Sequence, residues 1–228
     1  MANRPAVFLD RDGVINPLIY YADHGLVDSP FTLEQFRVFP YVPKAVRLFN
    51  DLGFAVIVAS NQPGVAKGHF DEDLLGKIEA KLQSKLELAG ARIDDFYYCL
   101  HHPQAVKRKL RKHCACRKPG ANLLRKAARD LGISLADSYM IGDGLTDIEA
   151  GIRAGCKTIF VGKWKPEHLQ FMRGQDYRPD FVVPDLWQAA RLIQQQCKQA
   201  QLSPEAGLFA EDNLSTVPSK YMAGKAAS

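Results

Sequence analysis

The chain has 228 residues, of which 46% are hydrophobic and 24% charged, and its formal net charge is +5. This composition is ordinary for a soluble globular protein with a substantial core, and no apolar run approaches the ~18 residues of a membrane-spanning helix. The mild positive charge favours anionic ligands without indicating nucleic acid. Five cysteines, an odd number, favour a reducing compartment and metal ligation over a disulfide framework. We therefore expect a cytoplasmic, monomeric protein with no membrane or nucleic-acid partner.

The first predicted element is a buried strand over residues 6–9, the apolar run Ala-Val-Phe-Leu. Asp10 and Asp12 follow it directly, and Gly13 allows the chain to turn away sharply. Side chains two residues apart on an extended backbone point to the same side, so the two carboxylates can share one metal ion and one substrate. The alternative here is an ordinary acidic turn, which is common after a strand.

Downstream of this strand, helical and strand-like patterns alternate. In chain order, the predicted elements of the first half are an irregular stretch at 15–40, a helix at 43–52, a strand at 53–59, a helix at 71–89 and a strand at 93–98. Those of the second half are a helix at 122–131, a strand from 139, a helix at 146–154, strands at 157–161 and 181–183, and a helix at 186–201. Ser60, Asn61 and Gln62 follow the second strand, and Asp143 follows the strand that begins at 139.

The alternation predicts an α/β fold, a Rossmann-like doubly wound parallel sheet with helices on both faces. Because the interval between Asp10 and Ser60 holds one loop and one helix, we expect no separate cap domain. A ligand of such a sheet lies beyond the carboxyl ends of its strands. We predict one domain over residues 1–201 and a flexible C-terminal tail over residues 202–228, where small and polar residues dominate and periodicity disappears.

Cysteines and histidines cluster before the helix at 122–131. Zinc favours four thiolate and imidazole ligands in a tetrahedron, and a Cys3His set is available here. Its members are Cys99, His101, Cys114 and Cys116, with His102 and His113 as spare candidates. A set of four protein ligands leaves no open position, so we predict a structural zinc that staples the loop ending at Arg117 and Lys118. The alternative is three reduced thiols packed under a loop.

The order of these polar groups, an acid pair, a hydroxyl, a lysine and a second acid pair, resembles the four motifs of the haloacid dehalogenase-like phosphatases. The matching positions are Asp10 with Asp12, Ser60, Lys118, and Asp143 with Asp147. The resemblance extends over roughly residues 5–162. It implies a haloacid dehalogenase-like fold and hydrolysis of a phosphate ester.

The cysteine-rich loop narrows the resemblance. The strings Cys-x-His-His-Pro and Cys-x-Cys-Arg-Lys-Pro resemble the D-glycero-D-manno-heptose-1,7-bisphosphate phosphatases, whereas the related histidinol-phosphate phosphatases usually have a shorter gap between the two halves. The sequence departs from the heptose enzymes at Ser60, where they usually have threonine, and at Gly144, where a lysine can follow the acid. These departures concern the substrate and leave the reaction type unchanged.

By this resemblance Asp10 is the nucleophile that forms an aspartyl-phosphate, and Asp12 is the general acid and base. Ser60 and the amide of Asn61 bind the phosphoryl oxygens, and Lys118 offsets negative charge. The remaining implied assignments are magnesium held by Asp10, the Asp12 carbonyl and Asp143, and substrate contacts from Asn61, Gln62 and Arg117. Asp147 holds either Lys118 or a metal-bound water, or is a first-turn acid favoured by the helix dipole.

The implied substrate is a small phosphorylated sugar, most specifically the heptose 1,7-bisphosphate, in a step of bacterial lipopolysaccharide synthesis. Histidinol phosphate or a broader range of sugar phosphates is the alternative within the same chemistry. A different class of function is a zinc-containing nucleic-acid-binding module, because residues 107–112 are strongly basic and lie beside the predicted zinc ligands. That run lacks interleaved aromatic residues for base stacking, and can equally attract a doubly charged sugar phosphate. A phosphatase fold that binds without turnover is a further alternative.

Overall fold

A computed structural model describes residues 4–163 and 177–202 of the chain. Six parallel strands form one sheet in the order β5-β4-β1-β6-β7-β8. These strands are β1 (Arg4–Leu9), β4 (Ala55–Asn61), β5 (Asp95–Cys99), β6 (Ile133–Gly142), β7 (Lys157–Val161) and β8 (Phe181–Val183). A two-stranded antiparallel ribbon, β2 (Ile19–Tyr21) and β3 (Leu26–Asp28), lies outside this sheet.

Helices alternate with the parallel strands, as the sequence pattern predicts. They are α1 (Val42–Asp51), α2 (Pro63–Lys67), α3 (Asp73–Glu87), α4 (Asn122–Leu131), α5 (Leu145–Ala154) and α6 (Leu186–Leu202), with short 3-10 turns at Ala22–His24 and Arg108–Leu110. Gly132, in a left-handed conformation, ends α4 at the predicted residue. None of the described helices is long and apolar enough to cross a membrane.

The core forms because β1 and β4 are apolar almost throughout and lie in the middle of the sheet. Ala6 and Phe8 of β1 join a buried cluster with Leu123 and Leu124 of α4. The alternate residues Val7 and Leu9 point to the other face, and they too are buried. Because both faces of the sheet are covered, its central strands are held rigidly, and so are the polar residues at their ends.

Three details differ from the sequence prediction, the first being the short helix α2, which the sequence analysis does not predict. β6 begins at Ile133, six residues before the predicted start at Tyr139; its early residues are mostly intermediate or exposed and lack the continuous apolar run on which the prediction relied. The stretch at 15–40 contains the β2–β3 ribbon, which the sequence analysis leaves irregular.

The chain divides into two units, Met1–Gln194 and Gln195–Ser228. Within the second unit the described residues are the last part of α6. Most of the predicted tail, residues 203–228, lies outside the described residues, so the boundary at 201 stays a prediction.

Candidate functional site

The candidate site lies at the carboxyl edge of the sheet, where three adjacent strands end in polar residues. Asp10 follows β1, Ser60 is near the end of β4, and Asp143 follows β6. Since β4, β1 and β6 are neighbours and parallel, their carboxyl ends meet at one edge. These three groups therefore lie where ligands bind in open α/β sheets, beyond the carboxyl ends of the strands.

Lys118 connects the acids of the site. Its ammonium nitrogen lies 2.9 Å from Oδ1 of Asp10 and 2.5 Å from Oδ1 of Asp147, and it donates a hydrogen bond of 2.8 Å to the carbonyl of Ala59. Burial by itself lowers the pKa of Lys118, but Asp10 and Asp147 outweigh it and raise that pKa. The lysine is therefore charged, although it is only 2% exposed.

Negative charge still exceeds positive charge around Asp143. Carboxylate oxygens of Asp10, Asp143 and Asp147 all lie within 4.8 Å of one another. Burial, followed by repulsion from Asp10 and Asp147, raises the pKa of Asp143 to about 7. A divalent cation at this cluster would stabilise the ionised carboxylates.

Glycine makes the close approach of Asp143 possible. Gly13 has φ of +87°, and a Cβ added there would lie 1.9 Å from Oδ2 of Asp143. Both carboxylate oxygens of Asp147 are already engaged, Oδ1 by Lys118 and Oδ2 by the backbone N–H of Gly144 at 3.0 Å, whereas Lys118 contacts Asp10 at Oδ1. Asp10 and Asp143 therefore remain as the side-chain donors for a cation. An all-oxygen donor set of this kind fits magnesium.

Three buried side chains surround the carboxylate of Asp12. Arg11 Nη2 lies 3.0 Å from Oδ2 and 3.1 Å from Oδ1, Asn16 Nδ2 donates to Oδ1 at 2.9 Å, and Gln62 Nε2 donates to Oδ2 at 2.8 Å. Gln62 Nε2 also lies 3.1 Å from the hydroxyl oxygen of Ser60. The predicted acid and the predicted phosphate-binding hydroxyl are thus linked through one amide.

Asn61 holds the loop that carries Lys118. Its Oδ1 accepts a hydrogen bond from the backbone N–H of Lys118, and its Nδ2 donates to the carbonyl of Lys118, each at 3.0 Å. Because both polar atoms of the side chain are engaged, a phosphate contact from Asn61 would use its backbone N–H.

The predicted zinc ligands come together as a second cluster. The Sγ atoms of Cys99, Cys114 and Cys116 are 3.1 to 3.5 Å apart, and Nδ1 of His101 lies 3.3 Å from Sγ of Cys116. Sulfurs around a tetrahedral zinc lie roughly 3.8 Å apart for Zn–S bonds of ~2.3 Å, so the geometry is close to that of a zinc site. Burial and nearby Lys112 lower the pKa of His101, which favours the neutral imidazole that binds metal.

A pocket of about 490 Å³ is lined by residues of the loop that joins β5 to α4, among them Cys114 of the sulfur cluster. Its polar lining includes His102, Lys112, His113, Arg117 and Lys118. The predicted spare ligands His102 and His113 therefore line the pocket. The guanidinium of Arg117 lies at hydrogen-bond distance, 3.5 Å, from the carbonyl of His101. The pocket is rich in cationic groups, and Lys118 is part of its lining.

Sequence reasoning missed one contributor to the site and left the role of another open. The role of Asp147 was undecided, and the structure pairs it with Lys118. Asn16 was overlooked, although it donates to Asp12, and the buried Arg11 pairs with the same carboxylate. The available signal was charge: an arginine between two acids and directly after a buried strand needs an anionic partner when it is itself buried.

Comparison with known proteins finds a matching family model and several relatives. A family model described as HAD-hydrolase-like matches residues 115–189. The chain is 38% identical over 167 residues to the D-glycero-β-D-manno-heptose-1,7-bisphosphate 7-phosphatase of Photorhabdus laumondii, covering 73% of this chain and 85% of that protein. It is 35% identical over 198 residues to the enzyme of the same name from Escherichia coli K12, covering 86% of this chain and 97% of that protein.

A solved structure is also similar over most of its length. The D,D-heptose 1,7-bisphosphate phosphatase from B. bronchiseptica, crystallised with magnesium and phosphate, superposes with a TM-score of 0.69 at 28% identity. The match covers 84% of this chain and 99% of that one. It confirms the predicted haloacid dehalogenase-like fold without a cap domain.

Proposed function

Because the chain belongs to the D-glycero-β-D-manno-heptose-1,7-bisphosphate 7-phosphatase family of haloacid dehalogenase-like phosphatases, we propose that it removes the 7-phosphate from that bisphosphate and releases the heptose 1-phosphate. The observation that carries the proposal is Lys118, which is buried and bonded to Asp10 beside a pocket lined with cationic groups. A nucleophilic acid next to an anion-attracting pocket is the arrangement that phosphate-ester hydrolysis needs.

Magnesium is the metal that the oxygen donors fit, and it is bound in the related B. bronchiseptica crystal structure. Asp10 and Asp143 would hold it, with the Asp12 backbone carbonyl as a further ligand. When bound, the ion offsets the repulsion between the phosphate and the carboxylates and polarises the phosphoryl group.

In the first step a carboxylate oxygen of Asp10 attacks phosphorus and forms an acyl-phosphate bond. The bond from phosphorus to the sugar oxygen breaks, its electron pair goes to that oxygen, and the Asp12 carboxyl supplies the proton that makes it a hydroxyl. Lys118 stabilises the negative charge that crowds around Asp10 and the phosphoryl oxygens. Ser60 and the Asn61 backbone N–H bind those oxygens.

In the second step water attacks the same phosphorus. Its proton passes to the carboxylate of Asp12, the bond between phosphorus and Asp10 breaks, and inorganic phosphate leaves. Asp12 is protonated again and Asp10 is again a free carboxylate. The cycle consumes one water molecule and needs no other co-reactant.

The pocket beside Lys118 suits a substrate with a second phosphate. Arg117 and Lys112 are positioned to neutralise it, and His102 and His113 can donate hydrogen bonds to sugar hydroxyls or phosphate. Bisphosphates therefore gain binding energy from this pocket that simple monophosphates lack.

Zinc has a structural part in this proposal. The Cys3His cluster supplies all four ligands that a tetrahedral ion takes, and Cys116 lies two residues before Lys118. A zinc ion that fixes this loop would also fix the position of Lys118, the cation beside the nucleophile Asp10.

Phosphate release from a small substrate panel tests the proposal. With magnesium present, we expect the heptose 1,7-bisphosphate to have the highest kcat/KM, above histidinol phosphate and simple hexose monophosphates. A chelator should abolish turnover, and added magnesium should restore it. Faster hydrolysis of histidinol phosphate would reject the heptose substrate, and the absence of release from every ester would reject the phosphatase activity.

A further inference from the structure

The surroundings of Asp12 are unusual for an acid that must exchange protons. Arg11, Asn16 and Gln62 all have side chains directed at its carboxylate, and each of the three residues is 0% exposed. Asp12 itself keeps 11% of its side-chain surface. The three donors are thus fully buried, whereas the carboxylate that they contact remains partly accessible.

Burying polar side chains such as these costs free energy unless they form hydrogen bonds. A buried guanidinium is stable only when it is paired and hydrogen-bonded, and Arg11 contacts both oxygens of Asp12 with Nη2 and one of them with Nε. Contact with both oxygens fixes the orientation of the carboxylate plane as well as its position.

Gln62 ties this arrangement to the rest of the site. Its Nε2 reaches Asp12 at 2.8 Å and Ser60 Oγ at 3.1 Å, and its backbone N–H donates to the carbonyl of Cys99 at 2.8 Å. The amide therefore sets the separation between the acid and the hydroxyl that binds phosphate. It also connects both to the strand that begins the zinc loop.

We propose that Arg11, Asn16 and Gln62 are positioning residues that hold the Asp12 carboxyl where it can pass a proton to the leaving oxygen and take one from water. The inference rests on the proposed phosphatase function. Proton transfer depends steeply on geometry, because donor and acceptor must approach within about 2.6–3.2 Å. A carboxyl freed from these three contacts would sample other rotamers.

The leaving group provides a test that separates positioning from structural support. A sugar alkoxide needs a proton as its bond to phosphorus breaks, whereas p-nitrophenolate is stable without one. Loss of a well-placed Asp12 should therefore slow phosphorylation of Asp10 by a sugar phosphate and leave phosphorylation by p-nitrophenyl phosphate nearly unchanged. The parameter to compare is kcat/KM, which reports steps up to the first irreversible one.

Gln62→Met is the main variant, because it keeps the length of the side chain and removes its donor. We expect kcat/KM for the sugar phosphate to fall roughly 10- to 100-fold, a part of the 10²–10⁴ that general acid catalysis contributes. For p-nitrophenyl phosphate it should fall less than about 3-fold. Since hydrolysis of the acyl-phosphate also needs Asp12, p-nitrophenol should appear in a burst that the unaltered protein lacks.

Gln83→Met is the matched control. It removes the same amide in α3, where Gln83 Oε1 accepts the backbone N–H of Ile93 at 3.3 Å before the start of β5, at the far end of that strand from Cys99. We expect both esters to be hydrolysed at the unaltered rate. Arg11→Met and Arg11→Lys extend the test, and the lysine, which keeps a cation, should recover part of the loss for the sugar phosphate.

Equal losses of kcat/KM on both esters, or no loss on either, would overturn the inference. Thermal unfolding of each variant identifies a global loss of structure, and Gln62→Met then decides the question if Arg11→Met does not fold. Absence of hydrolysis of both esters by the unaltered protein would reject the proposed function, and this inference with it. Hydrolysis of other sugar phosphates in place of the heptose bisphosphate would reject only the substrate.

Discussion

Two clusters of side chains that could hold a metal ion differ in their chemistry and in the elements that support them. The first has oxygen donors, Asp10 and Asp143, at the ends of buried strands, and it includes the cation Lys118. The second has three sulfurs and a nitrogen on a loop. Hard oxygen donors with room for further ligands suit a metal that takes part in catalysis, whereas four soft ligands suit one that only holds structure.

The comparison shows how one loop can serve the other site. The sheet already fixes the acids, since they follow strands with backbone pairing on both sides. Lys118 has no strand behind it, and its place depends on Asn61, on its carboxylate partners and on the loop that contains Cys114 and Cys116. We therefore propose that the sulfur cluster holds the loop of Lys118 in position, as the sheet holds Asp10.

Replacing the nucleophile should give the largest effect on activity, and it should disturb the oxygen cluster but not the sulfur cluster. Asp10→Asn keeps the shape of the side chain and removes the attacking carboxylate, so we expect phosphate release to fall about 10⁴-fold or more. The sulfur cluster should keep its metal, measured as zinc per chain. Turnover that persists after this change would reject Asp10 as the nucleophile.

Removing the lysine should affect both activity and stability. Lys118→Met leaves Asp147, which is 1% exposed, without its cation, and breaking a buried ion pair costs about 3–5 kcal/mol of the free energy of unfolding. We expect kcat to fall roughly 10²- to 10³-fold as well. Chemical denaturation and steady-state kinetics measure the two effects.

A double variant separates these two losses. Adding Asp147→Asn to Lys118→Met removes the unpaired buried charge, so stability should recover in part while kcat stays low. Recovery of kcat together with stability would show that Lys118 acts only as a structural partner.

Disrupting the sulfur cluster should have a smaller effect on chemistry and a clear effect on stability. Cys116→Ser is expected to lower zinc content and the unfolding temperature, and to lower kcat roughly 10-fold, because Lys118 loses support. Cys156→Ser, a buried cysteine outside the cluster, is the matched control and should keep its zinc. Unchanged kcat in a zinc-free protein would show that the two clusters are independent.

The basic run beside the sulfur cluster should give the smallest effect. Arg108 and Lys109 are exposed, and we expect that replacing both with glutamine lowers kcat/KM for the bisphosphate a few-fold at low salt. Screening should remove the difference at about 0.5 M salt. A salt-titrated binding assay with DNA and RNA completes the test, and tight binding at low salt would favour the nucleic-acid alternative.

The sequence predicted the scaffold well because its signals are local. Apolar runs marked β1, β4, β7 and β8, and a glycine marked the end of α4. β6 was predicted short because polar residues interrupt its first half, and pairing with β1 from Arg4 onward extends it. The β2–β3 ribbon was missed because its strands have three residues each and carry little pattern.

By itself the sequence determined the fold class, the acids and hydroxyl at the strand ends, and the four members of the sulfur cluster, because each follows from residue type and short spacing. Tertiary structure alone decided which partner each polar group takes. Lys118 pairs with Asp10 and Asp147, and Gln62 faces Asp12, across long separations in the chain. Such pairings depend on which strands are neighbours and on which side chains lose their water, and a linear pattern encodes neither.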